Sequence, residues 1–157
     1  MKKTIFITGA AKRIGKEIAL CFSEMGWNII IHYNSSKNDA QVLADEINGT
    51  NPDSAITVQG NLDVKEDVEK VINEVRDAFP TIDLLINNAS TFYPTPIEDI
   101  SEEHWDKLVG SNLKGPLFLI KGLKDKLKES KGSIINITDT NLSKGVANYS
   151  IYSAAKA

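Results

Sequence analysis

Cysteine is nearly absent from this chain: among 157 residues, Cys21 stands alone. A single cysteine excludes an internal disulfide framework, and its place in an apolar helical pattern predicts a packed thiol in a reducing compartment. An excess of either charge is missing too. With 18 Lys and Arg against 21 Asp and Glu, the formal charge is -3 and the signs are interleaved. No basic face is therefore offered to nucleic acid or to anionic lipid. No apolar run approaches the ~20 residues that a membrane-spanning helix needs. Met1-Lys2-Lys3-Thr4 leads directly into a short apolar strand, without the long apolar core and cleavage site of a signal peptide. The expectation is a cytoplasmic protein with no nucleic-acid or membrane partner. Repeats, low-complexity tracts and linker-like shifts are also lacking, which predicts one domain over residues 1–157.

What is present is an alternation of short apolar runs and helical patterns. Ile5-Phe6-Ile7 is followed by a glycine turn and by Ile14, Ile18, Ala19 and Phe22 at helical spacing up to Gly26. Ile29-Ile30-Ile31 precedes a helix on Ala40, Leu43, Ala44 and Ile47, closing near Gly49. Ala55-Ile56-Thr57-Val58 precedes a helix on Val64, Val68, Val71, Ile72 and Val75, ended by Pro80. Leu84-Leu85-Ile86 leads through Pro94 and Pro96 to Trp105, Leu108 and Val109, then to a helix on Leu117, Ile120, Leu123 and Leu127. Ser133-Ile134-Ile135-Asn136-Ile137 is a fifth strand. Continuously apolar strands separated by helices predict an α/β fold, a doubly wound parallel sheet of Rossmann type. In such a sheet the ligand lies beyond the carboxyl ends of the strands.

The segments at those ends carry the chemistry. Thr8-Gly9-Ala10-Ala11-Lys12-Arg13-Ile14-Gly15 is a small-residue turn feeding a helix whose free N–H groups suit a pyrophosphate. Arg13 is either a solvated helix-start residue or a cation beside phosphate or a flat substrate. The second strand ends in His32-Tyr33-Asn34-Ser35-Ser36-Lys37, with no acid before Asp39 to hold a ribose 2′-hydroxyl. Neutral donors followed by a cation favour a 2′-phosphate and so NADPH, although Ser and Asn could equally cap the next helix. His32 reads as a strand-end residue. Asn61 and Leu62 follow the third strand, and Asp63 either supplies an acid at this strand end or, as the expected role, caps the helix after it. Tyr152 and Lys156 stand four apart at a helix start, on one face, where the ammonium would lower the phenol pKa toward the working range. Asp139 precedes Tyr152 by thirteen residues. It is either a turn aspartate within Thr138–Asn141 or, if desolvated, an acid with a raised pKa.

Taken together, these segments resemble the short-chain dehydrogenase/reductase family. The turn is similar to its T-G-x-x-x-G-x-G motif, with Arg13 replacing the middle glycine; Asn87-Asn88-Ala89 and Tyr152-x-x-x-Lys156 are similar to two further marks. Ser90 stands where most members carry glycine and Asp139 where most carry the catalytic serine. With the run Ser90-Thr91-Phe92-Tyr93-Pro94-Thr95-Pro96, these departures resemble the pteridine reductase branch. The resemblance implies an NADPH-dependent reductase passing hydride to a pterin C=N bond. In it Gly9, Arg13, Ile14, Gly15, Tyr33, Asn34, Ser35, Ser36, Asn61, Leu62, Asn88, Ala89, Ser90 and Lys156 would bind cofactor. Arg13, Ser90, Phe92, Asp139 and Tyr152 would bind substrate. Asp139, Tyr152 and Lys156 would be catalytic, with Asn112 bending a helix and supporting a water path to the lysine. The resemblance also implies further strands and a substrate loop beyond Ala157, and a homo-oligomer, dimer or tetramer, for the complete chain. A reductase of oxoacyl thioesters and an inactive nucleotide-binding fragment are the rival expectations.

Overall fold

The structure is a computed structural model and describes residues 2–157. In chain order its elements are β1 (Thr4–Ile7), α1 (Arg13–Glu24), β2 (Asn28–Tyr33), α2 (Lys37–Thr50), β3 (Ala55–Gln59), α3 (Lys65–Ala78), β4 (Leu84–Asn87), α4 (Glu102–Val109), α5 (Gly115–Glu129), β5 (Ser133–Asn136) and α6 (Ser150–Lys156). The strands pair in parallel in the order β3-β2-β1-β4-β5. The chain winds outward from β1 through β2 and β3, then returns to the other side of β1 for β4 and β5. The switch point therefore lies between β1 and β4.

Alternation along each strand divides the core in two. Ile5, Ile7, Ile29 and Ile31 pack with Ala19 of α1 and with Ala40, Leu43 and Ile47 of α2. Phe6, Ile30, Val58 and Leu85 face the other way, onto Val68, Val71 and Val75 of α3 and Leu119, Leu123 and Leu127 of α5. From β2 through β1 to β4 both faces of the sheet are covered, as the continuously apolar strands require.

Four local expectations are corrected. Cys21 is exposed rather than packed, because α1 turns Gly15, Ala19 and Ser23 inward instead. On α5 the inward stripe runs Leu119, Leu123, Leu127, and Leu117 is 58% exposed; Leu117 to Ile120 is apolar on every side, so spacing alone left the register open. Asp63 does not cap α3: Val64 takes the cap position with no side-chain bond, and Asp63 N–H donates instead to Asn61 Oδ1 at 3.1 Å. Ser36 at the start of α2 likewise makes no side-chain cap. β5 pairs with β4 alone, and its four residues are exposed. Among the described residues no helix is long and apolar enough to cross a membrane.

His32, read from sequence as a strand-end residue, is 2% exposed and joins three strand ends. Gly9 N–H donates to its Nδ1 at 3.1 Å, and its Nε2–H donates to the Gly60 carbonyl at 3.0 Å. Because Nδ1 accepts, the ring is neutral. Burial lowers its pKa to about 4, against the smaller opposing effect of the Gly60 bond. The unfolded chain thus binds this proton near pH 6.5 and the folded chain does not. Stability is expected to be full above about pH 6.5 and to fall by roughly 3 kcal/mol as the pH drops toward 4. Urea unfolding across that window checks this; a stability independent of pH there, or a fall equally steep in His32→Gln, contradicts it.

Candidate active site

The carboxyl ends of β1 and β4 are tied by reciprocal hydrogen bonds. Thr8 Oγ1 accepts from the N–H of Asn88 and of Ala89, each at 2.9 Å, while Asn88 Nδ2 donates to the carbonyls of Thr8 at 2.9 Å and Gly9 at 3.1 Å. Gly9 lies at φ +62°, and a Cβ there would sit 3.0 Å from Ala89 Cα. A Cβ on Gly15 would fall 2.5 Å from the Gly9 carbonyl oxygen and 2.8 Å from Asn88 Nδ2. The turn therefore packs backbone on backbone at its base. Arg13, where the resembled motif has glycine, keeps a left-handed backbone at φ +52°. That conformation costs a residue with a Cβ roughly 1–2 kcal/mol, so the turn geometry is held although glycine is gone.

Beyond this base opens a cavity of about 450 Å³. Of the residues expected to hold cofactor, Gly9, Arg13, Ile14, Gly15, Asn34, Asn61, Leu62, Asn88, Ala89, Ser90 and Lys156 line it, and so does Tyr152. Three do not. Tyr33 is buried in the first core, its carbonyl accepting from Gly60 N–H, because the pleat that brings Asn34 to the cavity turns Tyr33 inward. Ser35 and Ser36 lie off the wall, at the approach to α2. Lys12, passed over in the sequence, does line the cavity, and its Nζ stands 3.0 Å from Asp39 Oδ2. The signal was its place next to Arg13 in a phosphate-type turn. Glycine-lined backbone, free helix-start amides, a cation and no unpaired acid at the end of β2 form a donor set that fits a phosphorylated dinucleotide.

At the other end of the cavity, the Tyr152 hydroxyl donates to Asp139 Oδ2 at 3.0 Å. Asn141 N–H donates to Asp139 Oδ1 at 2.8 Å, an Asx turn that orients the carboxylate. Lys156 Nζ donates to the Ile137 carbonyl at 2.9 Å. Two proton expectations are corrected here. Asp139 is not desolvated: its bond from Asn141 and then that from Tyr152 hold its pKa below the ordinary carboxylate value, so it is ionised at neutral pH. Tyr152 is buried, and burial first, the Asp139 hydrogen bond second, push its pKa above the ordinary phenol value rather than down. Burial lowers Lys156, with Asp139 opposing. The arrangement is a neutral phenol facing a carboxylate, with a cation alongside.

Asn112 sits in a π-helical turn, Gly110–Lys114, between α4 and α5. Its Nδ2 donates to the carbonyls of Leu108 at 2.9 Å and Thr91 at 2.8 Å, and its Oδ1 accepts from Ser90 Oγ at 2.8 Å. A side chain inserted into the helical ladder bends it. Two of these bonds go to the Ser90–Thr91 segment, so Asn112 positions that segment. Phe92 is 56% exposed, stacks on Tyr149 with centroids 4.5 Å apart and planes at 15°, and packs edge-to-face with Tyr152 at 4.8 Å. Tyr149 was not anticipated; it lies three residues before Tyr152, one turn away, which is a weak signal.

Comparison with known proteins places this geometry. The short chain dehydrogenase family pattern matches residues 3–157. The chain is 32% identical over 158 residues to the 3-oxoacyl-[acyl-carrier-protein] reductase of Staphylococcus epidermidis, covering 100% of this chain and 64% of that protein. It is 33% identical over 158 residues to the same-named reductase of Staphylococcus aureus, with the same coverage. Pteridine reductase 1 of Leishmania tarentolae is 32% identical over 190 residues, covering 96% of this chain and 65% of that protein. The chain thus spans just under two thirds of the relatives it matches. The match along the whole chain, together with the parallel sheet and the residues gathered at its switch point, makes this chain a member of the short chain dehydrogenase family.

Proposed function

We propose that the chain carries the cofactor site and proton donor of an NADPH-dependent reductase acting on a planar nitrogen heterocycle of the pterin class. The observation that carries this reading is the hydrogen bond from a neutral Tyr152 to an ionised Asp139. Reduction of a carbonyl builds negative charge on oxygen, and the group beside the proton donor should then itself donate. A carboxylate cannot donate and repels that charge. A pterin instead presents ring N–H and amino donors that a carboxylate accepts, and a ring nitrogen that takes a proton. Bound in the cavity, the nicotinamide would supply the hydride to carbon. Tyr152 would give its proton to the ring nitrogen, so that C=N becomes CH–NH, and the resulting phenolate would regain a proton through Asp139, which reaches solvent. Lys156, held by the Ile137 carbonyl, would offset the phenolate charge.

Phe92 supports a flat substrate, being a rigid ring stacked on Tyr149 and still more than half exposed. Lys12 and Asn34 support a 2′-phosphate: both line the cavity, and Asp39 is engaged by Lys12. Exposed Trp105, Leu113, Leu117 and Phe118 along α4, the π-helical turn and α5 support a homo-oligomer in the complete protein. A second reading, reduction of a 3-oxoacyl thioester, is favoured by the names of the staphylococcal relatives, and those names weigh more toward it than the pteridine reductase weighs toward ours.

Two variants separate these readings. Asp139→Ser is expected to lower kcat/KM for a dihydropterin by about a hundredfold, in the range of a lost acid–base group, and to leave or improve turnover of acetoacetyl thioester; an unchanged pterin rate contradicts the proposed role. Lys12→Ala is expected to weaken NADPH about tenfold, the loss of a charge-assisted bond, with NADH changed less than twofold. Equal losses for the two cofactors in a calorimetric titration contradict the 2′-phosphate assignment.

A further inference from the structure

His32 lines the cavity that it also braces, and the chemistry above gives it no part. Its two ring bonds reach opposite walls. Gly9 belongs to the turn between β1 and α1, and Gly60 begins the segment that brings Asn61 and Leu62 to the cavity. The main chain repeats the link, since Ala10 N–H donates to the His32 carbonyl at 2.9 Å and Gly60 N–H to the Tyr33 carbonyl at 3.1 Å. Edge-to-face packing on Phe6, centroids 6.4 Å apart at 88°, fixes the ring plane. The Gly9 amide is spent on the ring, so ligand phosphate must take its donors from later in the turn and from the start of α1. A ring with one acceptor and one donor at opposite corners is a spacer of fixed length; an aliphatic side chain of equal bulk would leave a buried N–H and a buried carbonyl unpaired.

We propose that His32 is a positioning residue for the cofactor: its neutral Nε2–H ring sets the distance between the phosphate turn and the end of β3, and so the width of the nucleotide end of the cavity. The inference rests on the reading that this cavity takes NADPH and is independent of the substrate. His32→Leu keeps bulk and removes both bonds, whereas His32→Gln offers an acceptor and a donor on one flat amide. NADPH dissociation constants of the chain and both variants, with the nitrogen-15 spectrum of the wild-type ring at pH 7.5, test it. Binding is expected to weaken about thirtyfold in His32→Leu and to recover to within about fivefold of wild type in His32→Gln, with the ring protonated on Nε2. A folded His32→Leu that binds as wild type, a His32→Gln as impaired as His32→Leu, or a ring protonated on Nδ1 overturns the proposal. Should His32→Leu not fold, the glutamine variant and the tautomer still decide. A wild-type chain that binds neither NADPH nor NADH overturns the cofactor reading itself, a result distinct from any of these.

Discussion

Everything at this site depends on how β1 and β4 are held together where the chain reverses its winding. In a parallel sheet the last residue of each strand exposes backbone groups that the ladder no longer pairs, and at the switch point no crossover helix covers them. Here Thr8 and Asn88 satisfy one another's backbone, and Gly9 and Gly15 let the turn pack against Asn88 and Ala89 without side chains between. The floor of the cavity is thus built from hydrogen bonds rather than apolar packing. That explains why polar residues sit among the most buried of the chain at this end of the sheet: Thr8 is 1% exposed and His32 2%.

On that floor, chemistry is set by which groups are dry. Tyr152 is buried and Asp139 is not, so a proton between them belongs to the phenol at neutral pH. The dyad is a proton donor paired with an acceptor that water can reach. Phe92, Tyr149 and Tyr152 form one aromatic group around it, and Asn112 fastens the Ser90–Thr91 segment that leads into Phe92. In the proposed reaction, positioning and proton transfer would therefore share neighbours, and a change in either loop would be felt by both.

Much of the fold was legible because β1, β2 and β4 are short apolar runs with glycine or polar residues at their ends, a pattern that few architectures bury. Register was legible only where apolar residues are sparse. Leu117 to Ile120 gives no such contrast, and Cys21 lies on the outer side of a helix whose inner side is made of small residues. The ordering of site motifs after successive strands was also legible, since it follows from sheet topology. Protonation was not, because it depends on burial and hydrogen bonding in the fold: spacing placed Lys156 beside Tyr152, but a carbonyl takes its ammonium, and Asp139 is held below the ordinary carboxylate value by its bonds from Asn141 and then Tyr152. His32 gave no signal at all, since what it bridges comes from residues 23 and 28 positions away.

The most direct test of the account is a side-by-side measurement of NADPH oxidation by the unaltered protein, with a dihydropterin and with an acetoacetyl thioester as acceptors. The account predicts turnover of the pterin with kcat/KM at least about tenfold above that of the thioester, a difference of about 1.4 kcal/mol in transition-state stabilisation. Turnover of the thioester alone would contradict it, and would mean that the carboxylate beside Tyr152 serves a carbonyl after all.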